Sequence, residues 1–354
     1  MRCRLWHATR PLSDLSALSQ VQPRGFEKQC MENALFIRSY GGPEVLRYEP
    51  VVVGAPGRDE LKLRQTHVGV NFHDIYVRSG AYQTLPLPGI PGLEGLGYVE
   101  EVGEGVTNFK VGDRVIYLSP AYGAYASARL IPANIAIRLP DTISGVIAAA
   151  TYLKGLTVQM LVRKLVQITP GAWVLIHAAA GGVGQLLVQA ALWRGARVIG
   201  TVGSPEKARQ LRELGCEHVI LYREQNFVEV VNDITEGCGV DVVYDSVGKD
   251  TFDGSLKAIA RCGHLVNFGQ SSGAIAPFDV AQLAAKSITL SRPILFHYVA
   301  KRQDLEDFSS AVFDEIGDGR LQSESTLTFP LAEGARAHAL LESRSTSQPI
   351  VLVT

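Results

Sequence analysis

The run Trp173-Val174-Leu175-Ile176-His177-Ala178-Ala179-Ala180-Gly181-Gly182-Val183-Gly184 decides the fold. Its first seven residues are apolar except for His177 and read as a buried strand. A glycine turn follows, with Ala179 where a first glycine usually stands, and residues 185–194 then read as a helix. Glycine lets the backbone approach a diphosphate, and a helix N-terminus supplies free amides and a positive dipole end. The turn alone is a weak signal. Its position between strand and helix, at the head of a series of such units, makes it strong.

Downstream the alternation continues. Residues 196–202 read as a strand and 205–214 as a helix ended by Gly215. Strands at 218–222, 240–246, 265–269 and 288–291 alternate with helices at 227–236, 252–261 and 280–286. This order predicts a Rossmann domain, a doubly wound parallel sheet, over residues 156–294. Upstream, residues 31–155 are mostly β, with strands at 61–64, 97–102 and 114–117 between Gly- and Pro-rich turns. Residues 84–92 carry three prolines and predict an ordered loop. The tail 295–354 holds a helix at 305–316 and a strand at 349–353, and is expected to return to the first domain. The fold class is therefore α/β, with two domains in a chain of 354 residues.

The strand after the glycine turn chooses the cofactor. A site for NAD usually places an acid there for the ribose 2′-hydroxyl. This strand ends Gly200-Thr201-Val202-Gly203, without one. Ser204 reads as a helix N-cap and Pro205 as the first helical residue. Lys207 falls in the first helical turn, where the dipole disfavours a cation. A 2′-phosphate between Ser204 and Lys207 explains it, and NADPH is the expected cofactor. The plainer reading is that Ser204 only caps and Lys207 points to water.

Composition sets outer bounds. With 46% apolar and 19% charged residues the chain can build a core. A net charge of −1 argues against a nucleic-acid surface. No stretch approaches ~20 consecutive apolar residues, so no membrane span is expected. Five cysteines, none at metal-ligand spacing, fit the reducing cytoplasm better than a disulfide framework. Residues 1–30, rich in Arg and Ser, read as an unstructured extension, with a transit peptide as the rival reading.

Beyond Met31 the chain resembles the NADPH:quinone oxidoreductases, the zeta-crystallin-like branch of the zinc-free medium-chain dehydrogenase/reductases. The segments that carry the resemblance are Gly41-Gly42-Pro43-Glu44-Val45-Leu46, residues 70–80 (Val-Asn-Phe-His-Asp-Ile-Tyr-Val-Arg-Ser-Gly), Val111-Gly112-Asp113-Arg114-Val115 and Leu153-Lys154-Gly155-Leu156-Thr157. The glycine turn, residues 243–248, residues 267–273 and Leu341-Glu342-Ser343-Arg344 complete the set. The resemblance implies a GroES-like catalytic domain, a Rossmann domain, a cleft between them and a homodimer. It implies cofactor or active-site contacts at Asn71, Tyr76, Thr157, Gly181, Val183, Ser204, Lys207, Tyr222, Ser246, Phe268, Ser271 and Arg344. Ala180, Gly182, Gly184 and Gly269 lie in the same loops and are expected to contact the cofactor too.

Zinc-dependent relatives carry Gly-His-Glu where this chain has Gly92-Leu93-Glu94, and leucine cannot ligate zinc. The expected chemistry is NADPH-dependent reduction of a quinone without metal, with an electron or a hydride passed from the nicotinamide to a quinone in the interdomain cleft. Tyr76 is the candidate hydrogen-bond donor, Asn71 the candidate holder of the nicotinamide end, and Asp74 the residue that orients their loop or merely caps it. His73 and Gln270 depart from the expected pattern. His73 reads as a packing or loop histidine, with substrate contact as the sharper alternative. His177 reads as core, and Asp245 as either a crevice residue or a structural one. The rival functions are reduction of α,β-unsaturated aldehydes or ketones, and an RNA-binding or structural role.

Overall fold

The computed structural model describes residues 31–323 and 325–354. The expected extension over residues 1–30 lies outside them.

The chain opens with an antiparallel pair, β1 (Glu32–Phe36) and β2 (Arg47–Val51). Next come β3 (Glu60–Val70), helix α1 (Phe72–Ser79), β4 (Glu94–Val102), β5 (Arg114–Leu118), β6 (Ala128–Pro132) and β7 (Ala136–Arg138). The long strand β3 is the spine, paired antiparallel with β4 and β6. Between α1 and β4, the proline-rich loop is tied down by paired backbone hydrogen bonds between Ile37 and Gly89.

Helix α2 (Gly145–Gln159) continues through Leu165 in wider turns. This stretch of 21 residues is long and apolar enough to cross a bilayer, contrary to the sequence expectation, yet 78% of its apolar window is buried inside the protein. The contrast has a simple cause. α2 packs against β3 and β4 on one side and against two later helices on the other, so nearly every face is interior.

The second sheet follows: β8 (Trp173–Ile176), α3 (Gly182–Trp193), β9 (Arg197–Val202), α4 (Pro205–Glu213), β10 (His218–Leu221), α5 (Phe227–Ile234), β11 (Val240–Asp245), α6 (Phe252–Ala258), β12 (Ile259–Asn267) and β13 (Thr289–Ser291). All six strands are parallel, in the order β10-β9-β8-β11-β12-β13. Chain order reverses between β8 and β11, which places a ligand crevice at their carboxyl ends. Helices α7 (Leu295–Tyr298), α8 (Arg302–Gly317) and α9 (Gly334–Glu342), with β14 (Leu327–Pro330) and β15 (Ile350–Val353), complete the chain. β15 pairs antiparallel with β3, so the tail closes the first sheet.

Two elements differ from the sequence expectation. The helix expected over 252–261 stops at Ala258, because Ile259 turns extended to pair with Val240 and is fully buried in the second core cluster. The helix expected over 280–286 forms only as tight three-residue turns from Val280 to Ala285. Its apolar residues find little to pack on, and Val280 is 70% exposed.

Candidate active site

The glycine turn sits at the switch point between β8 and β11. Ala178 adopts a left-handed backbone (φ +50), and its carbonyl accepts from the Gly181 amide at 2.8 Å. Helix α3 then starts with no side-chain cap, so its first amides are open to a ligand. A Cβ on Gly184 would lie 2.3 Å from the Ala178 carbonyl oxygen and 2.8 Å from the Ala179 backbone. Only glycine lets α3 pack this close to its strand. Ala180 is buried, while Gly181, Gly182 and Val183 reach the surface.

At the end of β9 the Ser204 Oγ accepts from the Lys207 amide at 3.4 Å, the expected cap. Lys207 does not point to water. Its Nζ donates to the Arg344 carbonyl at 2.7 Å. Burial, with Arg223 and Arg344 nearby, pulls the Lys207 ammonium below its ordinary range. The Glu206 carboxylate also reaches the Ser204 hydroxyl, but the charges acting on Lys207 itself are those of Arg223 and Arg344, and such a gathering of cations suits an anion. Tyr222 lies over Gly203 beside this cluster.

The next loops are knitted together. Phe268 N–H donates to the Asp245 carbonyl at 2.8 Å, and Ser271 N–H to the Ser246 carbonyl at 3.1 Å. Gly269 lies directly against Ser246. The Arg344 guanidinium donates to the Ser271 carbonyl and lies 6.0 Å from the Phe72 ring centre, linking the two lobes. Thus Ser204, Lys207 and Tyr222 gather at the end of β9, Ser246, Phe268, Gly269 and Ser271 lie in the loops after β11 and β12, and Arg344 bridges the two groups.

Across from these loops stands α1. Asn71 opens it and Gly80 ends it in a left-handed C-cap. Tyr76 projects from the helix, with Phe72 at 5.2 Å and Tyr82 at 4.8 Å between ring centres. Its hydroxyl faces the Gln270 backbone, and burial raises its pKa to about 12. His73 packs on Tyr82 and Tyr122 and bonds the Tyr122 hydroxyl at 3.2 Å. Burial lowers its pKa to about 4, so it is neutral near pH 7.

Asp74 is fully buried and does not face the cleft. Its Oδ2 accepts from the Asn71 amide at 2.9 Å and the Tyr125 hydroxyl at 3.0 Å. Burial raises its pKa to about 7. The Asn71 side-chain amide donates to Glu94 Oε1 at 2.8 Å. The Thr157 hydroxyl donates to the Leu153 carbonyl of its own helix at 2.9 Å.

Two ambiguous residues prove structural. His177 is buried between Thr201 and Ser255, at 3.1 and 3.0 Å, and is a satisfied core histidine. Asp245 Oδ1 accepts from Val247 N–H, Gly248 N–H and the Thr251 hydroxyl, which fixes the turn after β11. Sequence reading missed Tyr82, Arg292 and the buried Glu94 and Lys154. The Arg292 guanidinium donates to the Asn267 and Gly269 carbonyls, and its charge reaches Tyr76. No local pattern marks it. Among the described residues, no three His, Cys, Asp or Glu side chains cluster as a metal site.

A glycine turn at the switch point of a parallel sheet, with an aromatic cluster on α1 against the 268–271 loop, suits a nicotinamide-type oxidoreductase scaffold. Comparison with known proteins agrees. Residues 57–141 match the alcohol dehydrogenase GroES-like domain, and residues 182–313 the zinc-binding dehydrogenase family. The chain is 44% identical to a 2-haloacrylate reductase from a Burkholderia species, over 91% of this chain and 99% of that one. It is 42% identical to quinone oxidoreductase 1 of Escherichia coli, over 91% of this chain and all of the other. The crystal structure of E. coli quinone oxidoreductase complexed with NADPH superposes with a TM-score of 0.88, at 42% identity, over 91% of this chain and 100% of that one. The chain belongs to the NADPH:quinone oxidoreductase family of the medium-chain dehydrogenase/reductases, and it is an oxidoreductase.

Proposed function

We propose that this chain reduces quinones at the expense of NADPH, without a metal. The observation that carries this reading is the wall of Phe72, Tyr76 and Tyr82 set opposite the 268–271 loop. A flat, conjugated acceptor stacks well in such a slot. A quinone gives an aromatic product, so its reduction needs no strong Lewis acid.

Bound NADPH would supply the hydride from its nicotinamide ring. The residues present fit that cofactor. Open amides at Gly182, Val183 and Gly184 suit its diphosphate, with Ala180 and Gly181 shaping the approach. Ser204, Lys207, Tyr222 and Arg344 suit a 2′-phosphate. Asn71, Thr157, Ser246, Phe268, Gly269 and Ser271 are the residues we assign to the remaining contacts. Tyr76 keeps its proton at neutral pH and donates a hydrogen bond to the acceptor oxygen. Asp74 orients the loop that carries Asn71 and Tyr76.

We divide the lobes near residues 155 and 295, with α2 shared between them. We further propose a homodimer, because β13 is an edge strand with Leu290 exposed and Val280 and Ile294 exposed nearby. The free thiols of Cys216, Cys238 and Cys262 suit the cytoplasm. Light scattering on the purified chain tests the dimer.

Activity is tested by following NADPH oxidation with 1,4-benzoquinone, 9,10-phenanthrenequinone, a 2-alkenal and 2-chloroacrylate in parallel, with NADH and EDTA controls. Quinone-dependent oxidation, selective for NADPH and indifferent to EDTA, is expected. Turnover confined to the alkenal or the haloacrylate overturns the quinone assignment.

A further inference from the structure

Beneath the cleft lies a buried polar cluster that the proposed reaction does not use directly. Glu94 on β4 is fully buried, and both its oxygens are engaged. Oε1 accepts from the Asn71 side chain at 2.8 Å, and Oε2 from the Leu153 amide at 2.9 Å. Asp74 is fully buried nearby. Lys154 on α2 is 6% exposed, and its Nζ has no hydrogen-bond partner. Its stem runs under the dinucleotide turn, and a Cβ on Gly182 would lie 2.9 Å from the Lys154 Cε.

A buried ammonium is costly and is normally neutralised or paired. Lys154 has no close bond, but two buried carboxyls, Glu94 and Asp74, act on it. The same charge acts back on both. Burial lowers the Lys154 pKa and raises that of Glu94, and their attraction opposes both shifts. Tyr117, Tyr125 and Tyr152 also feel the Glu94 charge, and each is held protonated by burial.

We infer that Lys154 is a positioning residue: buried beside the Leu153–Glu94 contact with its Nζ unpartnered, it steadies the Glu94 carboxyl, which in turn holds the Asn71 amide in the orientation the cofactor needs. The Asn71 side chain takes part in a capping box with the Asp74 backbone, and Glu94 is the charged group that holds its amide nitrogen. The ammonium therefore acts through two side chains and need not touch a ligand. The inference rests on the assignment of Asn71 to the nicotinamide end of the cleft.

The test compares wild type, Lys154→Met and the double variant Glu94→Gln/Lys154→Met, using whichever acceptor the wild type reduces best. Folding is followed by circular dichroism and thermal melting. NADPH affinity is followed by nicotinamide fluorescence. Lys154→Met is expected to lower kcat on the order of tenfold to a hundredfold, with the acceptor KM little changed. The acid limb of its kcat–pH profile should move to higher pH, because an unaided Glu94 takes up its proton more readily. In the double variant this limb should no longer be displaced, because no carboxylate remains at position 94 to titrate. NADPH affinity should fall in both variants, and the losses should not multiply.

An unchanged kcat and pH profile in folded Lys154→Met overturns the inference. So does a displaced acid limb that persists in the double variant, which would assign the titration to Asp74. If Lys154→Met does not fold, Glu94→Gln replaces it: NADPH affinity equal in Glu94→Gln and in the double variant supports the inference, and a further fall in the double variant overturns it. A wild type silent on quinones sinks the substrate assignment alone, because the fluorescence arm needs no acceptor.

Discussion

The two ends of the cleft are built by opposite means. The end we assign to the phosphates uses backbone and half-buried charge: open amides of α3, a capping serine, and Lys207 beside Arg344. The ring end uses buried side chains drawn from β3–α1, β4 and α2, with protonation states set by burial. Backbone sites tolerate no added bulk but depend little on pH. Buried side-chain sites tolerate some repacking but are sensitive to charge.

The sharpest way to break this comparison is Gly184→Val. Its side chain would meet the Ala178 and Ala179 backbone, which cannot move away. Overpacking of this kind costs about 3 kcal/mol or more. Thermal melting should fall steeply, and NADPH fluorescence should show no saturable binding. The same substitution in an open loop such as Gly54 should do neither.

At the ring end, Asp74 makes stability depend on pH. Its folded pKa of about 7 lies above its unfolded value near 4. The folded state therefore holds a proton that the unfolded state has lost. The contribution is full below about pH 4 and declines as pH rises to about 7, by on the order of 4 kcal/mol. Urea titrations across that range should show the decline in wild type relative to Asp74→Asn. Parallel curves for the two proteins would refute it.

A smaller effect sharpens the phosphate end. Lys207→Ala should weaken NADPH binding about tenfold to a hundredfold, as expected for one charge-assisted hydrogen bond. NADH should bind as before. Equal losses for both cofactors would mean that Lys207 serves only to anchor the Arg344 carbonyl.

The smallest change is expected at Tyr76. Tyr76→Phe keeps the ring contacts with Phe72 and Tyr82 and removes one neutral donor, worth about 1 kcal/mol. Quinone turnover should drop severalfold. Complete loss, with the slot intact, would mean that the phenol supplies a proton and not merely a hydrogen bond.

The turn, the alternation of strand and helix, the missing acid after β9 and the Ser204 cap were all legible, because each is local. Periodicity, capping and φ demands act over a few residues, so a sequence displays them directly. The early end of α6 was not legible, because Ile259 pairs with Val240, nineteen positions earlier in the chain. The direction of Lys207 was open as well, since its acceptor is the carbonyl of Arg344.

The amino-acid sequence by itself therefore determined the Rossmann half and the resemblance that defines the family, and it singled out Ser204 and Lys207 for the phosphate end we propose. Only the tertiary structure decided what surrounds Asn71. Asp74, Glu94, Lys154, Tyr125 and His338 come from five separate segments and meet in one interior. The energy of a buried charge depends on which other charges share its low-dielectric surroundings, and chain packing sets that.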